Sequence, residues 1–71
     1  MYLVTDRSSN LVLGYGETLS FQDNGYPMIE EINMAFPPQL IYLYSNIELP
    51  KDISTEYYYT EEKGFYKLET N

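Results

Sequence analysis

Thr55-Glu56-Tyr57-Tyr58-Tyr59-Thr60, then Glu61-Glu62-Lys63-Gly64, then Phe65-Tyr66-Lys67-Leu68-Glu69, reads as two short strands joined by a four-residue loop. Aromatic and β-branched residues crowd both flanks, and such side chains fit a pleated surface better than a helix. Gly64 suits the left-handed position that ends a type I turn, where a Cβ would clash. With the loop set this way, Phe65 and Tyr66 face Tyr58 and Tyr59 across the ladder. The stretch predicts an antiparallel hairpin, with Thr70-Asn71 as a short polar end.

Working back toward the N-terminus, Leu40-Ile41-Tyr42-Leu43-Tyr44 is apolar on both faces, whereas a strand with one wet face alternates polar with apolar. It predicts a strand covered on both sides, either centrally within this chain or by a neighbouring subunit. Between the two apolar segments, Asn46-Ile47-Glu48-Leu49-Pro50 leads to a polar connector, Lys51-Asp52-Ile53-Ser54, with the composition of a single helical turn. Pro37-Pro38 imposes an extended kink before Leu40. From Met28 to Phe36, Ile29, Ile32 and Phe36 match helical spacing, but the segment is short, lacks a cap and ends at prolines. It is read as loop with a strand or turn.

The N-terminal third repeats the hairpin logic. Tyr2-Leu3-Val4-Thr5 and Leu11-Val12-Leu13 flank Asp6-Arg7-Ser8-Ser9-Asn10, whose side chains bond nearby backbone groups and favour turns. Gly14 and Gly16 around Tyr15 mark a bulge or a close backbone approach. A short strand is expected from Glu17 to Phe21, followed by a turn at Asp23-Asn24-Gly25 and a change of direction at Pro27. The fold class is mainly β: a single small domain over residues 1–71 of two or three antiparallel hairpins, with little or no helix.

Composition narrows the function classes. Nine of 71 residues are Tyr, while Cys, His and Trp are absent. Tyrosine combines a large apolar body with a polar tip at low entropic cost, so it is enriched where proteins meet. The formal charge is −7, which repels nucleic-acid phosphates and anionic membrane surfaces. Direct nucleic-acid binding and membrane insertion are therefore not expected, and no apolar run reaches the length of a span. No basic n-region with an apolar stretch opens the chain, so synthesis in the cytoplasm without a signal peptide is the expectation. A chain this short buries only about 60% of its unfolded surface. Without disulfides it relies on aromatic burial or on association, with a partner or as a homo-oligomer.

No residue pattern specifies catalysis, a cofactor or a metal. Glu30-Glu31 and Glu61-Glu62 are the only paired carboxylates, and neighbours on a strand point to opposite faces while a turn leaves both solvated. Asp6 to Asn10 lacks the acidic density and glycine of a calcium loop. Gly14-Tyr15-Gly16 opens no helix, as a phosphate loop would. Tyr57-Tyr58-Tyr59 has the rings of a stacking platform, but the acidic charge opposes bases. The interface candidates are Tyr42, Tyr44, Tyr57, Tyr59, Phe65 and Tyr66. A rival reading uses Glu30, Glu31, Glu48, Glu61 and Glu62 as an acidic surface imitating phosphates, in an inhibitor of a host defence or nucleic-acid enzyme.

Beyond the physical reading, four blocks carry a resemblance: Met1-Tyr2-Leu3-Val4 leading to Val12-Leu13-Gly14-Tyr15; Asn24-Gly25-Tyr26-Pro27; Ile47-Glu48-Leu49-Pro50-Lys51-Asp52; and Tyr57-Tyr58-Tyr59-Thr60-Glu61-Glu62-Lys63-Gly64-Phe65-Tyr66. Over most of its length the chain resembles small proteins encoded in tail modules of phages and prophages of Gram-positive bacteria. The last block is the most distinctive. In that class a cysteine often occupies the middle of the tyrosine run, where Tyr58 stands here. The resemblance implies a minor tail, baseplate or fibre-associated component of a virion or tail-like particle, of a class generally without an assigned activity, docking on larger tail, baseplate or fibre proteins; no enzymatic turnover is expected.

Overall fold

The computed structural model describes residues 1–68; Glu69, expected at the end of the last strand, and the polar end Thr70-Asn71 lie outside the described residues. Eight strands follow in chain order: β1 (Tyr2–Asp6), β2 (Val12–Gly16), β3 (Leu19–Phe21), β4 (Pro27–Ile29), β5 (Met34–Ala35), β6 (Ile41–Tyr44), β7 (Tyr58–Thr60) and β8 (Gly64–Tyr66). They pair antiparallel in three small sheets, ordered β2-β1-β6, β3-β4-β5 and β7-β8. Two 3-10 turns, Glu30–Ile32 and Pro38–Leu40, are the only helical pieces among the described residues. The protein is a small, mainly β domain, as the sequence predicts.

The two-faced strand is β1, not the segment that the sequence singled out. Leu3, Val4 and Thr5 are each 0% exposed, so consecutive residues, which point to opposite faces, are all covered. On one face Val4 joins Ile29, Phe36 and Ile41 in the core, with Tyr2, Leu13 and Leu19 packed around it. This face brings the second sheet onto the first. On the other face lie Leu3 and Thr5. Of the two coverings expected for Leu40 to Tyr44, a central place within this chain does not form: Leu40 ends a 3-10 turn and β6 is an edge strand with only Ile41 buried. The physical reason is topological. Hydrogen bonding places β1 between its two partners, and β6 pairs with β1 alone.

Local chemistry fixes the first hairpin. The Asp6 carboxylate accepts from Ser8 Oγ at 2.6 Å, Ser9 N at 3.0 Å and Ser9 Oγ at 2.7 Å. Asn10 takes φ 67° before the chain returns. Val4 pairs with Gly14 but Thr5 with Val12, which leaves Leu13 as an extra residue, the bulge that Gly14 foreshadowed. A Cβ on Gly16 would lie 2.5 Å from Ile29 Cγ2 and 2.5 Å from Glu31 Oε1. Since Ile29 is fully buried it cannot step aside, so Gly16→Ala is expected to cost about 1–3 kcal/mol, read as a lower urea midpoint. At Gly14 the nearest atom is the tip of half-exposed Ile32, and the corresponding change should cost less.

The middle segment resolves into strand, 3-10 turn and strand, consistent with the loop-and-strand reading. Ile29 enters the core from β4, and the 3-10 turn ends at Asn33, whose φ of 53° breaks any helical continuation toward Phe36. The strand expected from Glu17 to Phe21 begins only at Leu19, because Glu31 draws Thr18 aside: Thr18 N donates at 3.1 Å and Thr18 Oγ1 at 2.8 Å to its carboxylate. The connector at Lys51 to Ser54 forms a turn closed by Ile53 N–H to the Pro50 carbonyl at 3.1 Å.

These contacts set a pH response. The hydrogen bonds from Ser8 and Ser9 lower the Asp6 pKa, and those from the Thr18 backbone and hydroxyl lower that of Glu31. Both groups bind protons less readily in the folded chain than in the unfolded one. Their contribution is fully present above the ordinary carboxylate range and is lost as pH falls through it toward their lowered values. Asp6→Asn and Glu31→Gln are each expected to flatten the acid limb of a stability-against-pH curve while leaving its neutral plateau lower.

Candidate interaction surface

The C-terminal hairpin is held against the first sheet by backbone bonds, Val12 N to Tyr57 O at 2.9 Å and Tyr59 N to Asn10 O at 3.0 Å, with a single bridge between Leu11 and Tyr58. Its register pairs Tyr58 with Tyr66, Tyr59 with Phe65 and Thr60 with Gly64. Gly64, at φ 71°, is thus the first residue of β8 and the loop is one residue shorter than the sequence reading. Lys63 N donates to Thr60 Oγ1 at 3.1 Å and closes it.

Five of the six interface candidates join in one row of rings. Tyr42 lies 6.3 Å from Tyr44, Tyr44 is 4.8 Å from Tyr59, Tyr59 is 4.8 Å from Phe65, and Phe65 is 5.9 Å from Tyr57. The edge-on and tilted arrangements suit the ring quadrupoles and add about 0.5–1.5 kcal/mol per pair beyond burial. Cations stand at both ends, with the Arg7 guanidinium 4.6 Å above Tyr42 and Lys67 Nζ 4.7 Å above Tyr57. Tyr66 is not part of the row: it stacks on Tyr58 at 5.6 Å, with Lys63 over its ring at 5.2 Å. Strand alternation separates them, because Tyr59 and Phe65 point to one face of the hairpin and Tyr58 and Tyr66 to the other.

The row is mostly packing. Tyr44, Tyr57, Tyr59 and Phe65 are half-buried, and Tyr42 alone is exposed. Burial raises the Tyr44 pKa, reinforced by the negative charge of Glu61, and Thr5 Oγ1, the buried hydroxyl beside it, has no hydrogen bond of good geometry. The Tyr57 hydroxyl donates to Asp52 Oδ1 at 2.8 Å, which raises the tyrosine pKa and lowers that of the aspartate. Lys67 adds an exposed ion pair to Asp52 at 3.7 Å, of little energetic weight.

The open edge of β6 adjoins this row. Arg7 N donates to Leu40 O, and Thr5 and Leu3 lie opposite Tyr42 and Tyr44. Antiparallel alternation then directs the backbone groups of Tyr42 and Tyr44 toward β1 and those of Ile41 and Leu43 away from it. Ile41 is satisfied within the chain: its N–H donates to Pro38 O, and its carbonyl accepts from Arg7 at 3.0 Å. Leu43 has no such partner among the described residues. Its side chain is 38% exposed and, with 65%-exposed Phe21, Pro27 and Pro38, lines an apolar groove of about 300 Å³. On the other side of the edge, Tyr42, Tyr44, Glu61 and Glu62 line a second groove with Asn10 and Lys63.

The acidic candidates are dispersed. Glu31 lies against Gly16 at one end of β2, and the turn bearing Glu61 and Glu62 adjoins Asn10 at the other. A strand of this length separates them by about 20 Å. Glu30 shares the 3-10 turn with Glu31, and Glu48 sits in the loop after β6. No group of three or more His, Cys, Asp or Glu among the described residues is arranged to hold a metal ion.

Sequence reasoning missed Arg7, Phe21 and Leu43. Arg7 reads as a turn residue, although it is the only cation before Lys51, and no local pattern reveals that it reaches across β6. Compared with protein-family models, curated proteins and solved structures, the chain finds no match in any of the three.

Proposed function

We propose that this protein is a non-enzymatic structural component of a phage tail or phage-tail-like particle, an adaptor that docks on larger tail, baseplate or fibre proteins through its tyrosine-rich β surface. The supporting observation is the coincidence of three features at β6: an edge strand without a second neighbour among the described residues, exposed apolar side chains at Phe21, Tyr42 and Leu43, and the packed aromatic row beginning at Tyr42. Exposed apolar side chains clustered around a pairing-competent edge mark an interaction site on a small domain. Hairpin packing holds the row in place before binding, which limits the entropy lost on docking. The dispersal of Glu30, Glu31, Glu48, Glu61 and Glu62 gives the phosphate-mimic reading no single patch to work with.

Quantitative mass spectrometry of particles purified from the producing strain tests the proposal. A fixed ratio of this polypeptide to the tail proteins is expected. Absence from particles alongside abundance in induced cells would overturn it.

A further inference from the structure

The two grooves beside β6 differ in chemistry and share Tyr42 and Leu43 in their walls. The groove on the core-sheet side is apolar, built around Phe21, Pro27 and Leu43. The groove on the hairpin side presents the rings of Tyr42 and Tyr44 together with the carboxylates of Glu61 and Glu62 and the single ammonium of Lys63. Between them run the outward N–H and C=O of Leu43, while Arg7 and Pro38 already occupy those of Ile41. An incoming strand sends alternate side chains to the two faces of the edge it joins.

We infer that β6 accepts an extended partner segment by strand addition at Leu43, and that the segment alternates apolar with basic side chains, the apolar ones entering the Phe21 groove and the lysine or arginine ones the tyrosine and glutamate groove. The inference rests on the docking reading above and names its partner chemistry. Charge complementarity selects this occupant. Glu61 and Glu62 outnumber Lys63 in that groove, so a cation meets a net negative wall beside the Tyr44 ring, the Tyr42 ring already carrying Arg7, whereas a second copy of the chain, paired about Leu43, would bring two such net negative walls together. Backbone geometry adds a constraint. Residues that exchange hydrogen bonds across an antiparallel pair point their side chains to the same face, so the residue bonded to Leu43 is one of the apolar ones.

The test is titration of the isotope-labelled protein with a short end-blocked peptide alternating lysine and valine, read by amide shifts and exchange. Binding is expected, with the largest changes at Leu43 and new protection of its amide. N-methylation of the valines should abolish binding, while N-methylation of the lysines should preserve it; both arms leave the protein unaltered. Glu61→Gln with Glu62→Gln should weaken binding about tenfold, and more at low salt, and a peptide alternating glutamate and valine should not bind. Equal loss with either methylated peptide, binding centred elsewhere, or no binding would overturn the inference. Self-association that protects Leu43 without peptide would overturn it in favour of a second copy. Particle composition is read separately, so a particle-borne protein that ignores the peptide sinks only this inference, and a peptide-binding protein missing from particles sinks only the particle reading.

Discussion

Ile29→Ala should be the most destabilising single truncation in this chain, lowering stability by about 2–5 kcal/mol and the thermal midpoint by more than about 10 °C. Ile29 is 0% exposed, it belongs to the core cluster with Val4, Phe36 and Ile41, and its Cγ2 fills the space left by Gly16. Because the neighbouring backbone is pinned by the β3 and β4 pairing, the cavity can collapse only in part. A domain of this size has about 4–10 kcal/mol of total stability to lose, so a large unfolded fraction is expected at physiological temperature. Differential scanning calorimetry checks it. A midpoint within a few degrees of wild type would mean that the two sheets do not share this core.

The second large effect concerns the aromatic row and separates packing from recognition. Tyr59→Ala removes the ring that contacts both Tyr44 and Phe65 at 4.8 Å, and should cost about 2–4 kcal/mol. Tyr42→Ala, at the exposed end beneath Arg7, should cost about 1 kcal/mol or less yet remove most of the binding attributed to β6. Chemical denaturation and binding measured on both variants give opposite rank orders if this division holds. Equal effects on stability would make the row a uniform surface without a packed interior.

Much of this architecture is written locally. Asp6 to Asn10, Asn24-Gly25 and Gly64 carry turn chemistry that declares itself in four or five residues, and the strands they join follow from β-branched and aromatic content. Sheet order is a different matter. Leu40 to Tyr44 has the composition of a buried central strand, yet its neighbours are decided by pairing with Leu3 to Asp6, more than thirty positions away. The buried stretch is Leu3 to Thr5, whose ordinary mixture of apolar and hydroxyl residues gives no sign that both faces are covered. The aromatic candidates are legible as a group because tyrosine is so concentrated, but period-two alternation alone separates only residues of one strand, and it takes the register, Tyr58 with Tyr66 and Tyr59 with Phe65, to put Tyr66 on the face away from Tyr59 and Tyr44. The groove partners Phe21 and Pro27 come from a different sheet, beyond the reach of any local pattern.

The functional account depends most directly on the openness of the β6 edge. Residue-resolved amide hydrogen exchange on the unbound protein measures it. The expected result is alternation along the strand, with the Tyr42 and Tyr44 amides protected by their bonds to β1 and the Leu43 amide between them exchanging orders of magnitude faster. Protection of Leu43 equal to that of its two neighbours would show that the edge is already paired, and would contradict the claim that β6 is where this protein receives a partner.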